Sequence, residues 1–139
     1  MGKNEIKRVN PLEAARILAD EPRALLIDVR SKVEFDYVGH PAGACNVIWK
    51  DYPAWQENPR FVEDVRALMV ERGGDDAARP VLAICRSGAR SLAAAQALAA
   101  AGYTNLYNVE EGFEGDKDAV GHRRTTSGWL ARGLPWEQT

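Results

Sequence analysis

The chain has 139 residues, of which 45% are hydrophobic and 27% are charged, and its formal net charge is -2. These proportions are typical of globular domains and exclude the disordered and fibrous classes. A chain of this size buries roughly two-thirds of the surface that its unfolded form exposes, so one core can stabilise it without disulfides or a structural metal. The nearly balanced charge, with no long basic run, argues against nucleic acid or a membrane surface as a partner. We expect a single domain over residues 1–139 that acts on a small partner.

Neither a membrane span nor a secretion signal is predicted. The longest uncharged stretch, residues 91–109, is interrupted by polar amides and would be a poor bilayer solute. The start of the chain, MGKNEIKRVN, is too polar for a signal peptide. A cytoplasmic location is therefore expected. Cys45 and Cys85 have no spacing typical of a zinc site or a dithiol motif, so both are expected to be free thiols.

Helices and buried strands alternate along the first half of the chain. The predicted elements, in chain order, are a helix from Pro11 to about Asp20, a strand over Ala24–Val29, a short helix from Ser31 to Gly39 and a strand over Ala44–Ile48. Asn10 with Glu13, and Ser31 with Glu34, are spaced as capping boxes. The continuous apolar run of the first strand is typical of a strand buried on both faces of a parallel sheet.

The second half continues the alternation and ends in a long loop. Its predicted elements are an aromatic loop with Trp49, Tyr52 and Trp55, a helix from Asn58-Pro59 to Gly73-Gly74, a strand over Pro80–Ile84, a helix over Ser91–Ala101, a last strand over Asn105–Val109, a surface loop over Glu110–Thr126 and a final short helix from Thr126 or Ser127 to Gly133. This order predicts an α/β fold of three layers, with a mainly parallel central sheet flanked by helices.

A cysteine stands between the strand that ends at Ile84 and the strongest predicted helix. Ligands of open parallel sheets bind beyond the carboxyl ends of the strands, and free N–H groups at a helix start favour negative charge. Cys85, with Arg86 and Arg90 nearby, is therefore predicted to ionise readily and to act as a nucleophile, provided that it is open to solvent. Gly88 lets successive N–H groups point to one centre. The alternative is a buried structural thiol between solvated arginines.

Four ordered motifs resemble the rhodanese-like sulfurtransferase family over most of the chain. They are Asp28-Val29-Arg30 with Glu34-Phe35, the turn Gly39-His40-Pro41-Ala42-Gly43-Ala44-Cys45-Asn46, the loop Cys85-Arg86-Ser87-Gly88-Ala89-Arg90-Ser91, and Gly102-Tyr103 with Asn108-Val109. The resemblance implies a rhodanese-like domain in which Cys85 takes a sulfane sulfur from a donor such as thiosulfate. The cysteine persulfide then passes the sulfur to a thiophilic acceptor.

The same resemblance implies roles for the neighbouring residues and for the partners. The expected substrate-binding residues are Arg86, Ser87, Gly88, Ala89, Arg90 and Ser91, in which the arginines hold the anion and residues 87–91 supply an amide cradle. Asp28 and Arg30 are expected to support the site. No metal or organic cofactor is expected, because the sulfur is carried covalently. The expected partners are a small anionic sulfur donor and a thiol or cyanide-like acceptor, with a sulfur-acceptor protein as an open alternative.

Two positions depart from the family pattern. The usual Ile-Pro of the turn is Pro41-Ala42 here, and the Gly-Gly pair expected after the last strand is Glu111-Gly112. The second change, together with the long insert at about 110–127, affects how the site is covered and which acceptor can enter.

A cysteine-dependent phosphatase of the tyrosine or dual-specificity type is the main alternative. Such enzymes need five residues between the cysteine and the arginine, whereas four separate Cys85 from Arg90 and the required position holds Ser91. A phosphatase also needs a general acid, for which Asp116 or Asp118 in the long loop are the candidates.

A non-catalytic module that relays sulfur or binds a partner protein is the third hypothesis. The aromatic loop and the insert at residues 110–127 would supply its surface, although core packing of the tryptophans is the favoured interpretation. His40 is interpreted as a turn-stabilising residue and Cys45 as a buried, inert thiol. The basic cluster His122-Arg123-Arg124 is interpreted as a solvated face, with closure over the site as its alternative.

Overall fold

The structure is a computed structural model that describes residues 5–139. Residues 1–4, the first part of the polar start, lie outside the described range. In chain order the elements are β1 (Ile6–Val9), α1 (Pro11–Asp20), β2 (Leu25–Asp28), a π-helix (Glu34–Val38), β3 (His40–Pro41), β4 (Cys45–Asn46), β5 (Lys50–Asp51), β6 (Gln56–Glu57), α2 (Phe61–Glu71), β7 (Val81–Ile84), α3 (Ala89–Ala100), β8 (Leu106–Val109) and β9 (Trp136–Glu137).

Five parallel strands form the central sheet in the order β1-β8-β7-β2-β4. This confirms the predicted α/β architecture with a parallel sheet flanked by helices. The strands β2 and β7 lie in the middle of the sheet and are buried along their whole length. Their carboxyl ends point to the same edge, so Asp28 and Ile84, which are register partners, bring the following loops together.

The two faces of the sheet carry separate hydrophobic cores, because successive strand side chains point to opposite faces. Leu25, Ile27, Val81 and Ala83 pack with α2 and α3 on one face. On the other face, Leu26, Leu82 and Ile84 pack with α1 and with Phe113 and Trp129 of the C-terminal region. Cys85 belongs to the first core.

The first predicted helix matches α1 (Pro11–Asp20), and the next three predicted helices are present with shifted bounds. Asn10 caps α1 through a complete capping box with Glu13. Ser31 and Glu34 also form their reciprocal bonds, but the helix that they start is wound as a π-helix over Glu34–Val38. The third helix begins at Ala89, two residues before the predicted start. Ala89 and Arg90 therefore lie in its first turn rather than in the preceding loop.

Strand β1 was not predicted, and the predicted strand over Ala44–Ile48 is shorter than expected. Lys7 and Arg8 in β1 are exposed, since β1 is an edge strand, and its sequence therefore lacks an apolar run. The other edge strand, β4, is paired only over Cys45–Asn46. Cys45 is half-buried there rather than fully buried.

The C-terminal region also differs from the prediction. The expected helix ending at Gly133 is a single turn, with an N–H···O bond of 3.0 Å from Arg132 to Gly128. Gly128 and Gly133 have φ angles of 100° and 74°, which no right-handed helix can use. The chain then pairs β9 antiparallel to β3. No helix in the described range is long and apolar enough to span a bilayer.

Candidate active site

Cys85 follows directly after β7 and precedes the N-terminus of α3. Gly88 is the N-cap of α3, with a φ angle of 114°, a backbone conformation that glycine adopts without strain. Its N–H group donates to Cys85 Sγ at 3.1 Å. The Ser91 hydroxyl also lies 3.3 Å from the same sulfur. A backbone N–H donor and a hydroxyl group thus lie against the sulfur atom at the start of a helix.

The first turn of α3 adds further free N–H groups on this side. The first intrahelical bond runs from Leu92 N–H to Gly88 O, at 3.3 Å. The amides of Ala89, Arg90 and Ser91 precede it and have no helical acceptor. Together with the positive end of the helix dipole, they favour negative charge near the sulfur. Of the amide cradle expected over residues 87–91, the Gly88 N–H is the group that the structure places on the sulfur.

The first part of the predicted surface loop, residues 112–115, lies directly against the Cys85 loop, whereas residues 116–126 are mostly exposed, as expected. Phe113 N–H donates to Cys85 O at 2.8 Å, and Glu114 N–H donates to Arg86 O at 3.0 Å. Phe113 is fully buried. The backbones are so close that a Cβ on Gly112 would lie 2.5 Å from Arg86 O. Of the two glycines that the family pattern expects after the last strand, this chain therefore has the second, Gly112, at the position where the close approach requires a glycine.

The sulfur is buried, which contradicts the expectation of an open thiol. Cys85 is only 1% exposed and packs within the core on the α2/α3 face. Arg86 and Ala89 beside it are exposed, and Ser87 is half-buried. A donor must therefore be small, or the side chains around the loop must move, before the sulfur can react.

Arg90 is engaged in an ion pair instead of standing free as an anion-binding group. Its Nη1 and Nη2 atoms donate to the two carboxylate oxygens of Glu34 at 2.7 and 2.9 Å. Burial opposes ionisation of Glu34, but the bonds and charge of Arg90 and the bonds from Ser31 outweigh it, so the pKa of Glu34 is lowered to about 2. Desolvation likewise opposes the charge of Arg90, but Glu34, with smaller contributions from Cys85 and Asp28, raises its pKa.

Arg86 and Trp55 are both exposed but differ in their contacts. Within residues 5–139, the structure shows no hydrogen bond or ion pair of the exposed Arg86 side chain. Trp55 is 44% exposed, and its ring lies 5.4 Å from Arg90 Cζ. Tyr52 packs edge-on against Trp55 and is also exposed, whereas Trp49 is buried against Phe61. The prediction of core packing therefore holds for Trp49 alone.

Asp28 and Arg30 form a fully buried pair below the site. Arg30 Nε and Nη2 donate to the Asp28 carboxylate at 2.9 and 2.7 Å, and Nη2 also donates to Gly39 O. Arg30 Cζ lies 4.7 Å from the centre of the Phe113 ring. The pair thereby joins the end of β2, the Gly39 turn and the segment around Phe113, which lies against the Cys85 loop.

Asn108 is a site residue that the sequence singles out only as part of a motif. It is 4% exposed in β8 and contacts two members of the Cys85 loop. Its Nδ2 donates to Gly88 O at 3.1 Å, and its Oδ1 accepts from the Ser91 hydroxyl at 2.5 Å. The sequence does contain a signal for this role, which is a polar residue inside an apolar strand pattern. A buried amide needs hydrogen-bond partners.

The remaining candidate residues lie outside the immediate site. His40 stacks on Phe35 with ring centres 3.6 Å apart, and its Nδ1 lies 2.8 Å from Phe35 O, which fits a turn-stabilising residue. Arg123 Nη1 donates to Gly115 O at 2.6 Å, and Arg124 pairs with Glu114. Through these contacts the two arginines hold the segment after β8 in place, so they do more than form a solvated face.

Comparisons with known proteins identify the family to which this fold belongs. Residues 10–119 match the Rhodanese-like domain. The crystal structure of Rv0390 from M. tuberculosis is 40% identical, with a TM-score of 0.83, covering 96% of this chain and 98% of that chain. The uncharacterized protein RC0915 of Rickettsia conorii is 30% identical over 95% of this chain and 98% of its own length. Thiosulfate sulfurtransferase 16, chloroplastic, of Arabidopsis thaliana is 35% identical over 78% of this chain and 76% of its own.

A parallel five-stranded sheet with a cysteine loop between β7 and α3 defines the class as an α/β domain of the rhodanese type. The chain belongs to the rhodanese-like family, which includes sulfurtransferases.

Proposed function

We propose that the protein is a sulfurtransferase that carries a sulfane sulfur on Cys85 from a small anionic donor, such as thiosulfate, to a thiophilic acceptor. The observation that carries the proposal is the hydrogen bond from Gly88 N–H to Cys85 Sγ, at 3.1 Å, at the start of α3. Hydrogen bonds and a helix terminus favour the charged, nucleophilic form of a thiol.

The proposed cycle has two half-reactions. The Cys85 thiolate attacks the sulfane sulfur of thiosulfate, a new S–S bond forms, and sulfite leaves with the electron pair of the broken bond. Negative charge moves from Sγ to the terminal sulfur of the persulfide. An acceptor thiolate or cyanide then attacks that terminal sulfur, and the Cys85 thiolate leaves. The cycle needs no external oxidant or reductant.

Arg86 is the residue that we propose to attract the anionic donor. Its side chain is exposed, whereas the charge of Arg90 is balanced by Glu34. Arg90 then positions the first turn of α3 and contributes its charge at longer range. This assignment narrows the expectation that both arginines hold the anion.

The phosphatase alternative has less support. Ser91 occupies the place of the required arginine, and it is buried against Cys85. Asp118 is a poor general acid, because hydrogen bonds from Thr125 and the His122 amide lower its pKa and hold it ionised. A phosphatase needs that acid protonated before the leaving group departs.

A protein acceptor is compatible with the exposed aromatic pair Tyr52 and Trp55 next to Arg90. Exposed aromatic side chains often anchor protein interfaces. We therefore keep a sulfur-acceptor protein as a possible partner class beside small thiols and cyanide.

A turnover assay tests the proposed function. The wild-type protein mixed with thiosulfate and cyanide is expected to form thiocyanate, and Cys85→Ala is expected to form none. Cys45→Ser is the matched control, because it removes the other thiol, and it is expected to keep the activity. Hydrolysis of an aryl phosphate that depends on Cys85, without thiocyanate formation, would instead support a phosphatase.

A further inference from the structure

A closed network of buried polar groups lies beneath the Cys85 sulfur. Ser91 is 0% exposed and Asn108 is 4% exposed, so neither can exchange its partners for solvent. Their contacts join three elements: Gly88 at the start of α3, Ser91 one turn further, and Asn108 in β8. Buried polar groups of this kind must satisfy one another.

The Ser91 hydroxyl has one proton but three neighbouring acceptors. These are Cys85 Sγ at 3.3 Å, Gly88 O at 3.2 Å and Asn108 Oδ1 at 2.5 Å. The shortest contact is with Asn108. Only one of these acceptors can receive the proton at a time.

The orientation of the Asn108 amide is set by Gly88. A carbonyl oxygen can only accept, so Gly88 O must face the Nδ2 group of Asn108, which donates to it at 3.1 Å. The amide therefore turns Oδ1 towards Ser91. The Ser91 hydroxyl then donates to Asn108 and presents a lone pair to the Cys85 sulfur.

This arrangement suits a neutral sulfur better than a charged one. A thiol can donate its S–H to the Ser91 oxygen, and the inner sulfur of a persulfide carries little charge. A thiolate, by contrast, needs the Ser91 proton, which it gains only if the bond to Asn108 breaks.

We infer that Asn108 is a positioning residue that holds the Ser91 proton away from the Cys85 sulfur and thereby favours the thiol and the sulfur-loaded form over the bare thiolate. The part concerning the loaded form rests on the proposed function. When Cys85 takes sulfur from thiosulfate, the negative charge moves from Sγ to the terminal sulfur as sulfite departs. Relative to the bare thiolate, Asn108 would thus favour the loaded form, although it does not touch the reacting sulfur.

Alkylation of Cys85 by iodoacetamide at pH 7 tests the inference in a Cys45→Ser background, because the rate follows the thiolate fraction. Asn108→Leu removes the competing acceptor at similar volume, and we expect the rate to rise about tenfold, the effect of one hydrogen bond to a charged atom. With Ser91→Ala present, the same Asn108→Leu substitution is expected to change the rate by less than about twofold. Equal changes in both backgrounds, or a slower reaction of Asn108→Leu, would overturn the inference.

A second variant keeps the test decisive if Asn108→Leu fails to fold, which thermal unfolding will reveal. Asn108→Asp keeps the acceptor for Ser91 and adds negative charge, so its alkylation is expected to be slower than that of the Cys45→Ser parent. A faster reaction of Asn108→Asp would contradict the inference. Alkylation requires no sulfur donor, so these results stand whether or not the protein takes sulfur from thiosulfate.

Discussion

Arg90 in the first turn of α3 and Glu34 at the start of the π-helix are joined by two parallel hydrogen bonds, at 2.7 and 2.9 Å. The residues are 56 positions apart in the chain, and their pairing fixes the helix that begins beside Cys85 against the loop after β2. Two-bond contacts of this type set the orientation of both groups.

This ion pair predicts an acid-dependent loss of stability. The pKa of Glu34 is lowered from 4.5 to about 2, so its contribution is present above pH 4.5 and is lost as the pH falls towards 2. We expect the free energy of unfolding in urea to fall over this range by about 2 kcal/mol more in wild type than in Glu34→Gln. Parallel pH profiles for the two proteins would show that the pair contributes nothing.

Arg86→Gln tests the assignment of the donor-binding charge. Removing an exposed positive charge near the sulfur is expected to raise the KM for thiosulfate about threefold to tenfold at low salt, with a smaller effect at high salt. Arg16→Gln is the control, because it removes the same charge from α1, which packs on the opposite face of the sheet. An equal KM change in both variants would refute a specific role for Arg86.

Gly88 and Gly102 form a matched pair for testing how closely the segment after β8 approaches the start of α3. Both have positive φ angles, of 114° and 104°, but a Cβ on Gly88 would lie 2.2 Å from Glu110 O, whereas one on Gly102 meets nothing within 4 Å. Gly102→Ala is expected to cost about 1 kcal/mol of unfolding free energy, the strain of the backbone alone. Gly88→Ala is expected to cost clearly more and to lower turnover, as measured by urea unfolding and thiocyanate formation. Similar losses in both variants would contradict the packing described.

Much of the fold follows from local signals in the chain. Asn10 and Glu13 mark the start of α1, and the apolar runs ending at Asp28 and Ile84 mark the two central strands. The family motifs place Cys85 at the junction of β7 and α3. Such features depend on residues close in sequence, and this is why they can be predicted.

The features that sequence reasoning missed depend on partners distant in the chain. Strand β1 is polar because one side of it faces solvent, and it exists through its pairing with β8. Tertiary packing determines that Arg90 pairs with Glu34 and that Ser91 pairs with Asn108. The burial of Cys85 likewise results from the core on the α2/α3 face, to which residues from distant parts of the chain contribute.

The burial of Cys85 predicts that its reactivity depends on reagent size. Cys45 is half-buried and Cys85 is 1% exposed, so the native protein should couple a polymer-linked maleimide at Cys45 only. Iodoacetamide is expected to modify both thiols, and urea should open both to the bulky reagent. Peptide mapping by mass spectrometry identifies the sites. If iodoacetamide also failed at Cys85 in the native protein, the thiol would be closed to substrates and the proposed enzyme activity would be excluded.

Intact-mass measurement after incubation with thiosulfate, followed by removal of the donor, is the most direct test of a Cys85 persulfide. We expect the wild-type protein and Cys45→Ser to gain one sulfur atom, about 32 Da, as covalent transfer requires. Cyanide should remove that mass, and Cys85→Ala should never gain it. A wild-type protein that stays at its original mass, or a gain that persists in Cys85→Ala, would contradict sulfur transfer through this residue.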